Sequence, residues 1–231
     1  MKKQLIALLL VIFCFVTVTL AQQKPFVFGF KAGPTLGWMK PDTKDYSSDG
    51  VRAGFSWGFT ADFFLMENYS IATGFDVVFL NGALEMPYMV DVDSATTHNG
   101  TLARKYKLKY IQVPVTLKMR TNEMGKFRIF GQIGLGTSFL IGAKADDEFT
   151  YGSTMESEED LDIYDDMKFM RESLIIGGGV EYSLGGSTSI IASLLFNNGF
   201  TDILKGYNTV DQTLKNKAQA NYVVIEVGIV F

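Results

Sequence analysis

Across residues 52–64 the side chains alternate without a slip, with Ala53, Phe55, Trp57, Phe59, Ala61 and Phe63 on one side and Gly54, Ser56, Gly58, Thr60 and Asp62 on the other. Successive side chains of a β-strand point to opposite faces, so this period predicts an extended strand with a large apolar face and a small, polar one. Residues 69–80 repeat it, with Tyr69, Ile71, Thr73, Phe75, Val77 and Phe79 against Ser70, Ala72, Gly74 and Asp76. Residues 127–141 set Phe127, Ile129, Ile133, Leu135, Phe139 and Ile141 against Arg128, Gln132, Gly134, Gly136 and Ser138. Further strands are expected over residues 26–39, 174–183, 189–197 and 222–231. An eighth, residues 106–120, changes parity near Tyr110, which a β-bulge would explain. Pro114 within it lacks a ladder donor.

The connections alternate in length. Short ones cover residues 65–68, 121–126 and 184–188, the last with the Gly185-Gly186 pair, and long ones cover 40–51, 81–104, 142–168 and 198–220. That rhythm belongs to an up-and-down meander whose long connections share one end. The expected fold is all-β: an eight-stranded antiparallel up-and-down transmembrane barrel with four long outer loops and three short periplasmic turns.

Alternation alone also suits a half-buried soluble sheet, so the two faces decide. The small face is rich in Gly, Ser, Thr and isolated charges, where a water-facing strand would carry many Lys and Glu. An eight-stranded barrel is only wide enough for its own side chains, so small residues belong inside and the large apolar ones meet lipid. A soluble lipocalin-like barrel would invert the faces. Trp38, Trp57, Tyr69 and Tyr182 are candidates for the aromatic girdles at the interfaces.

The N-terminal order of Met1-Lys2-Lys3, an apolar run over residues 5–18 and Thr19-Leu20-Ala21 predicts a signal peptide, residues 1–21, leaving a barrel domain over residues 22–231. The run is shorter than the roughly 20 residues of a spanning helix. The single cysteine, Cys14, lies within it behind Phe13, where a lipid-attachment signal would want a small residue, so residues 22–231 have no thiol chemistry. A net charge of -4 without a basic stripe argues against nucleic acid as a partner.

Residues 109–145, and within them Tyr110, Ile111, Val113, Pro114, Val115, Leu117 and Lys118 followed by a short turn and a Gly-rich strand, resemble the PorT-like outer-membrane barrels of Bacteroidota. The opening FGFKAGPTLGW and the strand pair over residues 54–80 carry the same resemblance. It implies an outer-membrane location, tolerance of Pro114, and a tie to protein secretion across the envelope; it supplies no catalytic residues. The terminal Phe231 resembles the signal read by the barrel assembly machinery.

Few residues suggest chemistry. Lys31, Asp62, Asp76, Lys118, Arg128, Glu181 and Glu226 fall on the inward face of different strands with both signs, and are expected to form interstrand ion pairs that plug the lumen rather than line a pore. The acidic stretch 142–168 does not match a calcium loop, since Tyr164 follows Asp160-x-Asp162 where a ligand is wanted, and is expected to be a solvated, self-repelling loop. His98, the only histidine, is assigned no role, and the glycines at 131, 134, 136 and 177–179 precede no helix that would make a phosphate loop. No cofactor, metal or catalytic site is expected. The reading is a non-enzymatic outer-membrane barrel in contact with membrane lipid and with an envelope or secretion-complex protein; the alternative is a small pore or ligand-binding barrel.

Overall fold

The computed structural model describes residues 26–93 and 96–231; the expected signal peptide lies outside the described residues. The strands are β1 (Phe26–Pro41), β2 (Ser47–Ser48), β3 (Arg52–Met66), β4 (Tyr69–Asp93), β5 (Thr96–Arg120), β6 (Phe127–Tyr151), β7 (Thr154–Asp162), β8 (Met170–Gly185), β9 (Thr188–Gly199) and β10 (Ala218–Val230). Eight of them close a ring, β1-β3-β4-β5-β6-β8-β9-β10 and back to β1, every neighbour antiparallel. Closure leaves the eight-stranded ring no free edge. Phe26 and the Phe231 backbone, whose N–H donates to the Phe28 carbonyl, lie at the end that carries the short turns.

Two connections expected as loops are strand. β4, β5 and β6 each run 25 residues, roughly 80 Å along the strand at about 3.3 Å per residue. A membrane crossing takes about 9–11 residues. Residues 81–104 therefore form the upper halves of β4 and β5, and much of 142–168 forms the top of β6 and the returning β7. A four-stranded wall thus rises above one side of the barrel. At its base, Thr43 Oγ1 donates to the Lys215 carbonyl, and Tyr46 and Asn208 are joined at 3.0 Å.

The parity change expected as a bulge in β5 has another cause. Burial in β5 alternates without interruption from Tyr106 to Arg120, always with even-numbered residues inside. What switches is chemistry. Below Tyr110 the outward residues are Ile111, Val113, Val115, Leu117 and Met119 and the inward ones Gln112, Thr116, Lys118 and Arg120; above it the outward residues are Lys105, Lys107 and Lys109 and the inward ones Tyr106, Leu108 and Tyr110. β4 inverts alongside, from inward Ser70, Ala72 and Asp76 to inward Val78, Leu80, Leu84 and Met86. The bulge lies in β6, where Lys109 pairs with Gly142 and Tyr110 with Leu140, leaving Ile141 as the extra residue.

This inversion marks the solvent boundary. Below it the barrel is apolar outside and polar inside, as lipid requires; above it the wall is apolar inside and charged outside, as water requires. The apolar run on β5, Ile111 to Met119, rises about 20 Å at a tilt near 45°. Trp38 stacks on Phe196 at 5.9 Å on the outer side of the belt, and Tyr182 meets Phe127 at 4.8 Å near the short turns. Trp57, expected in a girdle, lies midway along the outward apolar run of β3.

Candidate functional site

The barrel interior is filled in layers, each assembled by register. Lys31, Gly58 and Asp76 are aligned across β1, β3 and β4, and Lys31 also faces Gly228 on β10. Gly58 makes room for Asp76 and Gly228 for Lys31: a Cβ on Gly58 would collide with the Phe75 carbonyl and Asp76 Oδ1, and one on Gly228 would lie 3.0 Å from Lys31 Cβ. Over this floor the Lys31 ammonium reaches Asp76 at 3.0 Å and Glu226 at 3.1 Å, with both carboxylates 5% exposed.

A second cluster lies nearer the short turns. Asp62 accepts from Lys118 at 2.9 Å and from Arg120, and Arg120 Nε stands 3.3 Å from Glu181. Lys118 and Arg120 also sit over the rings of Phe130 and Phe64. Arg128 does not join: its guanidinium turns to Glu123 at 3.2 Å on the exposed rim, because the strand has already left the lumen for the 121–126 turn.

Above Lys31 the lining is a hydrogen-bonded network of neutral polar side chains around one cation, Arg171. Gln112 Oε1 accepts from Tyr222 at 3.1 Å, Asn197 at 2.9 Å and Ser138 at 3.2 Å. Arg171 donates to Asn197 at 2.6 Å and to the Ala220 carbonyl at 2.7 Å. Arg120 and Arg171 were absent from the expected set, although the inward parity of Lys118 extends directly to Arg120. With them the lumen carries Lys31, Lys118, Arg120 and Arg171 against Asp62, Asp76, Glu181 and Glu226. The two signs balance, which is what a low-dielectric interior demands.

Over the polar layers lies an apolar stopper of Met39, Val78, Leu80, Leu108, Tyr110 and Leu140, each at most 2% exposed. Beneath it an interior space of about 40 Å³ is bordered by Asp76, Gln112, Thr116 and Lys118. That accommodates two or three water molecules at about 10–15 Å³ each and no hydrated ion. A separate cup of about 310 Å³ opens at the short-turn end between Glu67, Arg120, Lys126 and Glu181.

Four carboxylates of the acidic stretch expected to repel itself, Asp146, Asp147, Glu148 and Asp160, are ion-paired instead. Arg104 holds Asp147 at 2.7 Å on the inner face of the wall, while outside Lys105 meets Glu148 at 2.7 Å and Lys107 meets Asp146 at 2.7 Å and Asp160 at 3.2 Å. The hydrogen bond from Lys107 holds the Asp146 carboxyl below the usual carboxylate range, and burial pushes the Tyr106 hydroxyl above the usual tyrosine range. His98, expected in a loop, lies in β5 and stacks on Tyr151 at 4.4 Å. Among the described residues no group of His, Cys, Asp and Glu side chains could hold a metal ion.

The wall's free edges are blunted. On β4 the Pro87 carbonyl accepts from Asn208 at 3.0 Å, and the Met89 N–H donates to Thr209 Oγ1 at 2.9 Å. β7, paired with β6 alone among the described strands, carries Glu156, Glu158, Glu159, Asp160 and Asp162. Charge and side-chain capping of this kind keep sheet edges from pairing with other chains.

Comparison with known proteins agrees with this architecture. Neisserial surface protein A (NspA) is 12% identical, with a TM-score of 0.51 over 90% of this chain and 96% of that one. OprG from Pseudomonas aeruginosa, 12% identical, gives 0.47 over 90% and 97%, and Ail from Yersinia pestis, 14% identical, gives 0.39 over 90% and 100%. No curated protein matches the chain. The family model described as "Outer membrane protein beta-barrel domain" matches residues 20–225. The chain therefore belongs to the outer membrane protein β-barrel domain family and is a small eight-stranded barrel of the outer membrane.

Proposed function

We propose that the protein is a non-conducting, non-enzymatic barrel that anchors the β4–β7 wall outside the cell as a surface for another envelope protein. The observation that carries this reading is the filled lumen: paired charges below, an apolar stopper above, and an interior space of about 40 Å³ beneath the stopper. Outer-membrane barrels place their short turns in the periplasm, which puts the wall outside. The resemblance of residues 109–145 to PorT-like barrels of Bacteroidota supports a partner within the envelope, and a secretion complex is the finer form of the same reading.

Planar-bilayer recording separates this from the pore reading. The purified protein is expected to show no channel steps above the leak of empty bilayers at neutral pH. Reproducible unitary steps that disappear on enlarging Gly58 to Leu, which would intrude on Asp76, would establish a lumenal path and overturn the proposal.

Assembly is the second part of the reading. The Phe231 ring packs 5.9 Å from Phe28, and its residue closes the β1–β10 seam through the bond to the Phe28 carbonyl. We propose that the barrel assembly machinery reads this end. Deleting Phe231 is expected to lower the heat-modifiable protein recovered from outer membranes severalfold, with refolding into detergent unchanged. An equal loss in detergent would reduce Phe231 to a packing residue.

A further inference from the structure

The cup at the short-turn end, about 310 Å³, falls at the lower end of the range for small-molecule sites, about 300–1,000 Å³. Its floor is the outermost pair of the lumenal charges. Arg120 donates through Nη2 to Asp62, while its Nε lies 3.3 Å from Glu181 Oε2 without hydrogen-bond geometry. Both of those atoms are buried, and neither has a hydrogen-bond partner among the described residues. The two side chains, 4% and 12% exposed, line the cup. A buried donor and a buried acceptor left unmatched at the floor of a cavity call for a polar occupant.

The rim carries further charges of both signs and is held in place. Glu123 and Arg128 pair at 3.2 Å, whereas Glu67 and Lys126, which also line the cup, have no ion-pair partner among the described residues. The turns that bear them are tied to their neighbours: Asn68 Nδ2 donates to Asn122 Oδ1 at 2.7 Å, the Arg120 N–H to the Asn68 carbonyl at 2.8 Å, and the Ser183 N–H to the Lys126 carbonyl at 2.8 Å. Ser183 and Ser189 add hydroxyls, and Val27 and Phe64 an apolar side. A lone anion in this cup would meet Glu67 and Glu181, and a lone cation would meet Arg120 and Lys126, so like-charge repulsion disfavours either. A molecule with one charge of each sign finds a partner for both.

We propose that the cup binds a small zwitterion of the amino-acid or short-peptide class, its carboxylate on Arg120 and Lys126 and its ammonium on Glu181 and Glu67. Hydrogen bonds between ionised partners, guanidinium to carboxylate above all, are the strong ones. The short turns face the periplasm, so the ligand is a periplasmic solute. The site is separate from the wall at the other end of the barrel and stands whether or not the wall finds a partner.

The test is isothermal titration calorimetry of the full-length mature barrel in a non-ionic detergent, with dialanine, with N-acetyl-dialanine, which lacks the ammonium, and with dialanine amide, which lacks the carboxylate. Dialanine is expected to bind about tenfold more tightly than either blocked form, each of which forfeits one charged end. Lys126→Gln is expected to weaken dialanine about threefold and leave the amide unchanged, and Glu67→Gln to weaken dialanine about threefold and leave the acetylated form unchanged, as befits exposed pairs. Lys40→Gln, at the far end of the barrel, changes nothing. Both rim residues lie exposed in turns, and unchanged heat-modifiable mobility checks that their variants fold. Free alanine, titrated alongside, tells the two forms of the ligand apart, the tighter binder naming the amino acid or the peptide. No heat for either at millimolar concentration, equal affinity of the blocked forms, or wild-type affinity in both rim variants would each refute the site.

Discussion

Lys31→Met is expected to destabilise the folded barrel by about 3–5 kcal/mol, the usual loss when one member of a buried ionic group is removed and its partners are left uncompensated. The side chain is 10% exposed and is the only cation within salt-bridge range of Asp76 and Glu226 among the described residues. Methionine keeps the volume, so the change isolates charge. Two carboxylates would then face each other across a lumen in which Lys118 and Arg120 are committed to Asp62 and Arg171 to Asn197 and the Ala220 carbonyl. The companion variant Lys31→Met/Asp76→Leu/Glu226→Met removes the whole group and is expected to recover most of the loss, because the ion cluster's attraction barely exceeds the desolvation it offsets. Equilibrium unfolding in guanidinium chloride, with the barrel in phospholipid vesicles and tryptophan fluorescence as the signal, measures both. A loss below about 1 kcal/mol for Lys31→Met would mean that water already solvates the site, and the picture of a sealed lumen would fall with it.

The same lumen shows how far the sequence could be followed. Period two assigns each inward residue its face, and a barrel of eight strands forces those faces together, so Lys31, Asp62, Asp76, Lys118, Glu181 and Glu226 are legible as lumenal. Which of them meet is set by shear, the stagger between strands, and no local pattern encodes it. Arg120 continues the parity of Lys118 and could have been found; Arg171 lies on β8 at Met170–Gly185, whose start falls beyond the clean alternation. Arg128 has the right parity and the wrong depth. The wall was hidden for a different reason. Residues 81–104 and 142–162 keep the strand period, but their polarity is inverted relative to the strands below, as Leu84, Glu85 and Met86 show, so they resemble polar loops when judged by the face rule of the belt. The acidic run seemed repulsive because its partners, Lys105 and Lys107, lie some 40 residues earlier in the chain.

That inversion makes a sharp prediction along a single strand. Val115 and Lys107 both point outwards from β5, four pairs of residues apart, one within the belt and one above it. Val115→Arg places a guanidinium against lipid near the middle of the apolar run and is expected to cost about 2–4 kcal/mol. Lys107→Val removes an exposed pairing with Asp146 and Asp160 and is expected to cost less than about 1 kcal/mol, because partly solvated ion pairs contribute little. Leu108→Lys, one residue further on but facing inwards, buries an ammonium in the stopper between Leu80 and Ala143 and is expected to exceed both. A soluble barrel with an apolar core would also make Val115→Arg costly, by burying a charge inside the protein, but its cost would not change with the bilayer. The discriminating measurement is therefore the unfolding free energy of all three variants in vesicles of two bilayer thicknesses. If Val115→Arg becomes less costly as the bilayer thins and Leu108→Lys does not, the boundary lies between Ile111 and Lys109; if the two respond alike, the boundary has been placed too low.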